Sequence, residues 1–441
     1  MIRIFILFIL ILSTQKLNSQ TVDPLISEDF LNQEKWVDSI YNKLTLDEKI
    51  GQLFFVQATS KNKNNSEKIL NNIKNFKIGG LIFSTGHPSI QANLTNKYQN
   101  ASEIPLMVSM DAEWGVGMRL DSVPKFPWNM SLGAIKNDLL IEKIGSEIGN
   151  QFKRLGIHMN FAPVIDINTN SKNPIIGNRS FGENKINVSE KGISFTKGIQ
   201  SNNILATAKH FPGHGDTSKD SHLTLPTINF DEKRIKKVEL YPFKKLIEDG
   251  LSAVMIAHLN VPSLEKENML PSTLSKNIIE RTLIKELNFN GLIITDALEM
   301  KGVSEFTKKN VDLMAFLAGN DILLMSSDIS KGIKSIKKSI RKGKISEERL
   351  ARSVKKILKA KYKAGLNSYK SVETTNLIDD LNSTSVTNLI NKSIESIPTL
   401  IKNKSNVIPV KLDTESILNI QFGNSDGAIF NDYLNKFKRI K

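Results

Sequence analysis

The chain has 441 residues, enough for one large domain and part of another, and its 40% hydrophobic and 24% charged residues are typical of a folded globular protein. The net charge of +15 comes from basic residues often interleaved with glutamate along predicted helices, which favours a solvated surface over contact with an anionic envelope and over nucleic-acid binding. The absence of cysteine excludes disulfides, thiolate chemistry and a lipid-modified cysteine anchor.

The N-terminus resembles a secretory signal peptide. Arg3 precedes an apolar run over residues 4–12, and mostly polar residues follow to about Gln20. The run is far shorter than the ~20 residues of a membrane-spanning helix, so residues 1–20 are predicted to direct export, to the periplasm or beyond the cell, with no stable membrane span. An uncleaved N-terminal anchor is the alternative.

Eight short apolar runs alternate with predicted helices along the chain. The runs cover residues 54–56, 80–83, 105–108, 159–162, 205–208, 253–256, 292–294 and 322–324. They are continuous rather than alternating, as strands buried on both faces require. Because helices separate them, we predict an α/β fold in which residues 28–365 form a (β/α)8 TIM-type barrel.

The predicted helices and boundaries complete this organisation. The helical segments are 29–44, 135–155, 188–201, 231–249, 274–287 and 346–362, and Thr45 with Glu48 forms a capping box. Residues 366–388 are predicted to be a linker. Residues 389–441, with a strand-like run at 417–420 between two helices, are predicted to be a short, incomplete C-terminal α/β segment.

Polar residues lie at or shortly after the ends of several of the predicted strands. They are Asp111, Asp166, Lys209, His210, His258 and Asp296. Because the carboxyl ends of parallel strands meet at one mouth when a sheet closes, we expect these side chains to converge there.

The stretch 209–222 holds three of the six histidines, His210, His214 and His222. Its mixture of charged residues and glycine predicts an ordered loop after the strand at 205–208, and neither a buried strand nor a regular helix.

Two carboxylates, one in this stretch and one after the seventh predicted strand, are candidates for catalysis. Asp296, directly after an apolar run, is held as a nucleophile would be, although an Asp at this place could equally cap a helix. Asp220, two residues before His222, could orient the imidazole as a proton shuttle, although a turn carrying a surface histidine is the simpler interpretation.

Two other chemistries are weaker. His210, His214, Asp216 and Asp220 could bind Zn²⁺ or Mn²⁺, but no helical His-Glu-x-x-His pattern supports this. Ser221 lacks the Gly-x-Ser-x-Gly elbow of a serine hydrolase.

With these residues in view, the sequence resembles glycoside hydrolase family 3, in its β-N-acetylhexosaminidase branch, over about residues 44–364. The loop 209–222, followed by Leu225 and Pro226, matches the defining loop of that branch nearly residue for residue. Other matching stretches, in the family's order, are residues 107–113, 161–166, 173–182, 255–258 and 294–298. One departure follows Asp111, where Trp114 takes the place of a glycine that is common in the family.

The resemblance implies a barrel, a retaining mechanism, a carbohydrate substrate and no metal or organic cofactor. It makes Asp296 the nucleophile and His222, oriented by Asp220, the general acid and base. The same resemblance implies that the amino sugar is bound by Asp111, Arg179, Lys209 and His210, with His214 and Asp166 shaping the site.

The alternatives are a β-glucosidase or β-xylosidase of the same family, and a wall-binding protein with impaired catalysis. The natural glycan could be a muropeptide, a chitin oligomer or a glycan side chain.

Overall fold

The computed structural model describes residues 23–59, 63–218, 224–304, 306, 309–404, 408–409 and 428–436. The predicted signal peptide, residues 1–20, lies outside this range. The chain divides into two compact units, Met1–Ile397 and Pro398–Lys441. No helix in the described ranges is both long and apolar enough to cross a membrane.

Eight parallel strands form the centre of the first unit. They are β1 (Phe54–Ala58), β2 (Gly80–Phe83), β3 (Met107–Met110), β4 (Met159–Asn160), β5 (Leu205–Phe211), β6 (Ala253–Ile256), β7 (Leu292–Thr295) and β8 (Leu323–Leu324). Their order is β7-β6-β5-β4-β3-β2-β1-β8, and a parallel bridge between Ile294 and Ile322 joins the two ends. The sheet is therefore nearly closed, and the predicted (β/α)8 barrel is confirmed.

The strands form where the sequence has continuous apolar runs because both of their faces are buried. Every strand residue is buried except Gln57 of β1, whose side chain lines a cavity at the barrel mouth. Outside the sheet, helices bury their apolar faces against the strands in the arrangement that parallel sheets require.

The α-helices of the first unit follow the predicted alternation with the strands. They are α1 (Phe30–Tyr41), α2 (Leu46–Gly51), α3 (Lys63–Phe76), α4 (Pro88–Asn100), α5 (Asn129–Leu132), α6 (Asp138–Leu155), α7 (Lys185–Gln200), α8 (Glu232–Lys237), α9 (Leu240–Glu248), α10 (Lys301–Ser304), α11 (Val311–Ala318), α12 (Ile329–Arg341), α13 (Glu347–Lys363), α14 (Leu377–Leu381) and α15 (Thr384–Ser396). A π-helix, Asn277–Glu286, stands between β6 and β7.

Local sequence explains how several helices begin and divide. Thr45 and Glu48 form the predicted capping box at the start of α2. The single helix predicted over residues 231–249 is two helices, α8 and α9. Pro242 lies in the first turn of α9, where a missing N–H costs nothing, but a helix continuing through it would lose a backbone bond and clash.

Residues 366–388, predicted to be a linker, are packed rather than extended. Leu366, Leu377, Leu381 and Val386 are buried, and the compact unit continues to Ile397. Arg154 of α6 binds this segment through the Asp380 carboxylate at 2.7 Å. Apolar side chains at helical spacing give these residues a face to bury, which the linker prediction overlooked.

The second unit contains α16 (Ala428–Asn435). The strand-like run predicted at 417–420 lies outside the described residues.

Candidate active site

A cavity of about 370 Å³ opens at the carboxyl ends of the strands. Six of the nine predicted site residues line it: Asp111, Arg179, Lys209, His210, His214 and Asp296. A larger cavity of about 700 Å³ lies at the other end of the barrel, beside Gly156 and Ile204 just before β4 and β5, and contains none of them. Because barrels of this type place catalytic groups at the carboxyl ends of their strands, the smaller cavity is the candidate active site.

Asp296 follows the last residue of β7 and points into this cavity. Its Oδ1 accepts a hydrogen bond from the N–H of Ala297 at 2.8 Å. The next helix, α10, begins five residues later at Lys301, so Asp296 is not a helix N-cap. Burial alone would raise the pKa of this carboxyl, but His258, His210, the Ala297 N–H and Lys209 outweigh burial and lower it. The carboxylate is therefore ionised at neutral pH, as a nucleophile requires.

His258 positions the peptide that follows Asp296. It is fully buried, and its Nε2 donates to the Ala297 carbonyl at 2.9 Å. Its Nδ1 lies 2.7 Å from the Thr273 hydroxyl. The sequence places His258 at a strand end, within the matching stretch 255–258, but assigns it no role.

Lys209 joins two carboxylates that follow β3. Its Nζ lies 2.7 Å from Oδ1 of Asp111 and 2.7 Å from Oε1 of Glu113. Asp111 also receives the Arg119 guanidinium at 3.0 Å, and Arg179 binds Glu113 with both Nε and Nη2, at 2.9 and 2.8 Å. The cavity wall is thus a network of charges that satisfy one another, and each is held in one geometry.

Glu113 lies in the matching stretch 107–113, but the sequence assigns no role to it or to Arg119. Burial would raise the pKa of the Glu113 carboxyl, but Lys209 and Arg179 hold the pKa well below its usual range. Conversely, Glu113 is the main cause that raises the pKa of the Arg179 guanidinium against the effect of burial. The signal that could have identified Glu113 is its position two residues after Asp111, beside the same strand end.

Asp166 lies behind the cavity and holds the two histidines of β5 and its loop. Its Oδ2 lies 2.7 Å from Nδ1 of His210, and its Oδ1 accepts from the His214 N–H at 2.6 Å. Arg179 Nη2, which can only donate, lies 3.3 Å from His210 Nε2. Because the Arg179 donor faces Nε2, a neutral His210 carries its hydrogen on Nδ1, which faces Asp166.

His214 is neutral in this site. Burial and the neighbouring His210 lower its pKa to about 4. Its Nδ1 lies 2.8 Å from the Thr217 hydroxyl, and Asn173 donates to its carbonyl at 2.8 Å. Thr217 is buried, so the chain is firmly held as far as this residue.

One prediction about this stretch was wrong. Lys209, His210 and Phe211 do not open a loop, because β5 continues through them and all three are buried. A buried strand can contain a lysine and a histidine here because Asp111, Glu113 and Asp166 supply the opposite charges.

Asp220, Ser221 and His222 lie outside the described residues, so the proposed acid and base pair stays a prediction. In the part of the chain that is described, no group of three His, Cys, Asp or Glu residues is placed to hold a metal ion.

The chain matches the family model for the glycosyl hydrolase family 3 N-terminal domain over residues 45–360. It is 34% identical to beta-hexosaminidase A of Pseudoalteromonas piscicida over 66% of this chain and 54% of that protein. It is 27% identical to the beta-N-acetylglucosaminidase/beta-glucosidase of Cellulomonas fimi, over 85% and 68% of the two chains.

A solved structure shares the fold. The glycoside hydrolase family 3 beta-N-acetylglucosaminidase from Paenibacillus sp. str. FPU-7 superposes with a TM-score of 0.76 at 35% identity, over 82% of this chain and 70% of that one. The chain spans about half the length of the Pseudoalteromonas relative.

Proposed function

Because the chain belongs to glycosyl hydrolase family 3, we propose that it is a retaining exo-β-N-acetylglucosaminidase that removes terminal β-linked N-acetylhexosamine from glycans. The observation that carries the proposal is the ionised Asp296 at a strand end, facing a cavity whose wall is the charge network of Lys209, Asp111 and Arg179. Charged and amide groups in a small concave site suit a polar ligand such as one sugar unit.

The proposed reaction has two displacements and consumes one water. Asp296 attacks the anomeric carbon, the bond to the leaving oxygen breaks, and His222 supplies the proton that this oxygen needs. Water then attacks the same carbon, His222 takes its proton, and the Asp296 carboxylate is released. Asp220 would orient the His222 ring throughout.

The described chain limits how far residue 222 can lie from the cavity. Thr217 is held against His214, which lines the cavity. Five residues of chain span at most ~17 Å, so an imidazole at position 222 is within reach of the cavity.

Recognition of the sugar is assigned to the residues that line the cavity. Asp111 and the Nε2 atom of a neutral His210 can accept from sugar hydroxyls, while Lys209 and Arg179 donate to hydroxyls or to the acetamido oxygen. Asp166 acts behind them by holding His210 and His214 in place.

The nucleophile is tested by Asp296→Ala. We expect kcat on a chromogenic β-N-acetylglucosaminide to fall on the order of 10⁴-fold, because the covalent step is lost while the cavity remains. Added azide should restore turnover and give the α-glycosyl azide, which reports attack on the face that Asp296 had occupied. Asp249→Asn, at a carboxylate paired with Lys197 away from the cavity, is the matched control and should retain the wild-type rate. Equal rates for wild type and Asp296→Ala would refute the assignment.

The substrate class is the second question. The name of the Cellulomonas relative includes both a β-N-acetylglucosaminidase and a β-glucosidase, so the second candidate function is a β-glucosidase or β-xylosidase. Assays of matched glucosides, xylosides and N-acetylglucosaminides decide between them. Sugar binding without any turnover would instead indicate a wall-binding protein.

We also propose that the protein is exported and acts on cell-wall or chitin-type glycans. The support is the signal-like stretch at residues 1–20. N-terminal sequencing of the protein from the envelope tests export, since an intact Met1 in the cytoplasm would contradict it. Product analysis on peptidoglycan fragments and chitin oligomers tests the natural glycan.

A further inference from the structure

Two of the three tryptophans lie together beside the candidate cavity. Trp114 lines the cavity, and its ring centroid is 4.2 Å from that of Trp128, with the ring planes 35° apart. Trp128 is 47% exposed. Tryptophan is usually largely buried, so an exposed indole stacked on a cavity wall is an unusual surface and is accessible to a ligand.

The backbone holds this pair in one geometry. The N–H of Phe126 donates to the Trp114 carbonyl at 3.2 Å, which joins the two ends of the loop between the tryptophans. Gly115 has a φ of 93°, and a Cβ there would lie 3.0 Å from the Phe126 ring. Pro127, whose φ is restricted, directly precedes Trp128. The pair is therefore a preorganised surface and needs little ordering to bind a ligand.

The pair is also fixed relative to the charged wall of the cavity. Trp114 follows Glu113, which binds Arg179 and Lys209. Asn129, directly after Trp128, donates from Nδ2 to the Arg179 carbonyl at 2.8 Å. The residues next to both indoles therefore contact Arg179, the arginine that is proposed to bind the terminal sugar.

We propose that Trp114 and Trp128 form a second sugar site, which binds the residue on the leaving-group side of the scissile bond. This inference rests on the proposed function. An exo-acting glycosidase holds one sugar in its cavity and leaves the rest of the glycan outside, where the stacked pair begins. A pyranose presents an apolar C–H face, and the flat indole of Trp128 buries that face while the sugar hydroxyls stay in water. Two rings are too small a surface for a stable protein partner.

Kinetics with two leaving groups test the site. N,N′-diacetylchitobiose places its second sugar on the tryptophans, whereas β-linked N-acetylglucosaminyl azide has a leaving group too small to reach them. For Trp128→Ala we expect kcat/KM to fall roughly tenfold on chitobiose and to stay within about twofold on the azide. Trp128→Phe should restore most of the loss.

The azide substrate separates this role from a structural one. If the substitution only displaced Arg179 through Asn129, both substrates would suffer alike. Equal losses on both substrates, or no loss on chitobiose, would overturn the proposal.

Fluorescence measures binding without turnover. Trp36 packs edge-on against Tyr362, and a Trp36→Phe background leaves Trp114 and Trp128 as the two tryptophans that emit when excitation is selective for tryptophan. In this background with Asp296→Asn, chitobiose should change the emission and free N-acetylglucosamine much less, and Trp128→Ala should remove the difference. An emission that chitobiose leaves unchanged would count against the site. Absence of hydrolysis by wild type would instead refute the proposed function, because this titration needs no reaction.

Discussion

Glu113 shows how a single residue organises the cavity. It is 1% exposed and stands between Lys209 and Arg179, two cations that would otherwise face each other. A buried pair that loses one partner leaves an uncompensated charge, which costs more than the pair contributes. The groups that would touch substrate are therefore held by a carboxylate that need not touch it.

Glu113→Gln keeps the shape of the side chain and removes its charge. We expect the free energy of unfolding to fall by roughly 3–5 kcal/mol and kcat/KM to fall on the order of 100-fold, because Lys209 and Arg179 lose their geometry. Urea denaturation and steady-state kinetics measure the two effects. Glu103→Gln, at an exposed carboxylate paired with Lys77, is the control and should change neither. A stable and fully active Glu113→Gln would show that the network is unnecessary.

Among the elements, α13 carries a feature that its pattern does not indicate. The sequence predicted a helix over residues 346–362, and the structure confirms it, with Ser346 as its N-cap. However, Lys361 near its end is completely buried, and among the described residues its side chain bonds only to Gln52 Oε1, at 2.7 Å. Burial lowers the pKa of Lys361 to about 7. Below this pH Lys361 is charged while buried, and the burial of its ammonium group lowers the stability of the folded protein.

The pH dependence of stability tests this lysine. Its pKa is about 7 in the folded protein and 10.5 ordinarily, so between these values the unfolded chain binds more protons and stability rises with pH. The rise is at most about 5 kcal/mol and is absent below pH 7. Lys361→Met should abolish it, whatever the offset from the lost Gln52 bond. Lys355→Met, at a half-exposed lysine paired with Asp38, should retain it. Parallel curves for wild type and Lys361→Met would contradict the prediction.

At the scale of the whole molecule, two buried histidines make the barrel sensitive to acid. His214 lies at the cavity, and His158, just before β4, accepts from the Val108 N–H at 3.1 Å. Burial lowers the pKa of both to about 4, helped at His158 by Lys361 and at His214 by His210. Between pH 6.5 and 4 the unfolded chain binds more protons, so stability is lost as the pH falls through this window.

The loss should be at most about 3 kcal/mol for each histidine, measured by urea denaturation between pH 7 and 4. His158→Asn keeps an acceptor near the Nδ1 position without a titrating ring, so the fall in stability should be smaller by about that amount. His87→Asn, at a partly exposed histidine before α4, is the control and should fall like wild type. An unchanged slope in His158→Asn would contradict the prediction.

The barrel could be read from the sequence because its strands are buried on both faces. This condition leaves continuous apolar runs, and all eight predicted runs overlap β1 to β8. Strand ends then locate polar residues, so the convergence of Asp111, Lys209, His210 and Asp296 on one cavity followed from local pattern and parallel topology. The motifs also identified the family, which the family model confirms.

Interactions between distant parts of the chain could be decided only by the tertiary structure. Glu113 and Lys209 are far apart in sequence, so neither strand pattern showed that they form a buried ion pair or that β5 continues through Lys209. The burial of Lys361, the packing of residues 366–388 and the stacking of Trp114 on Trp128 have the same origin. Local sequence determines which residues can be buried, whereas the charges and rings that meet there depend on how the barrel closes.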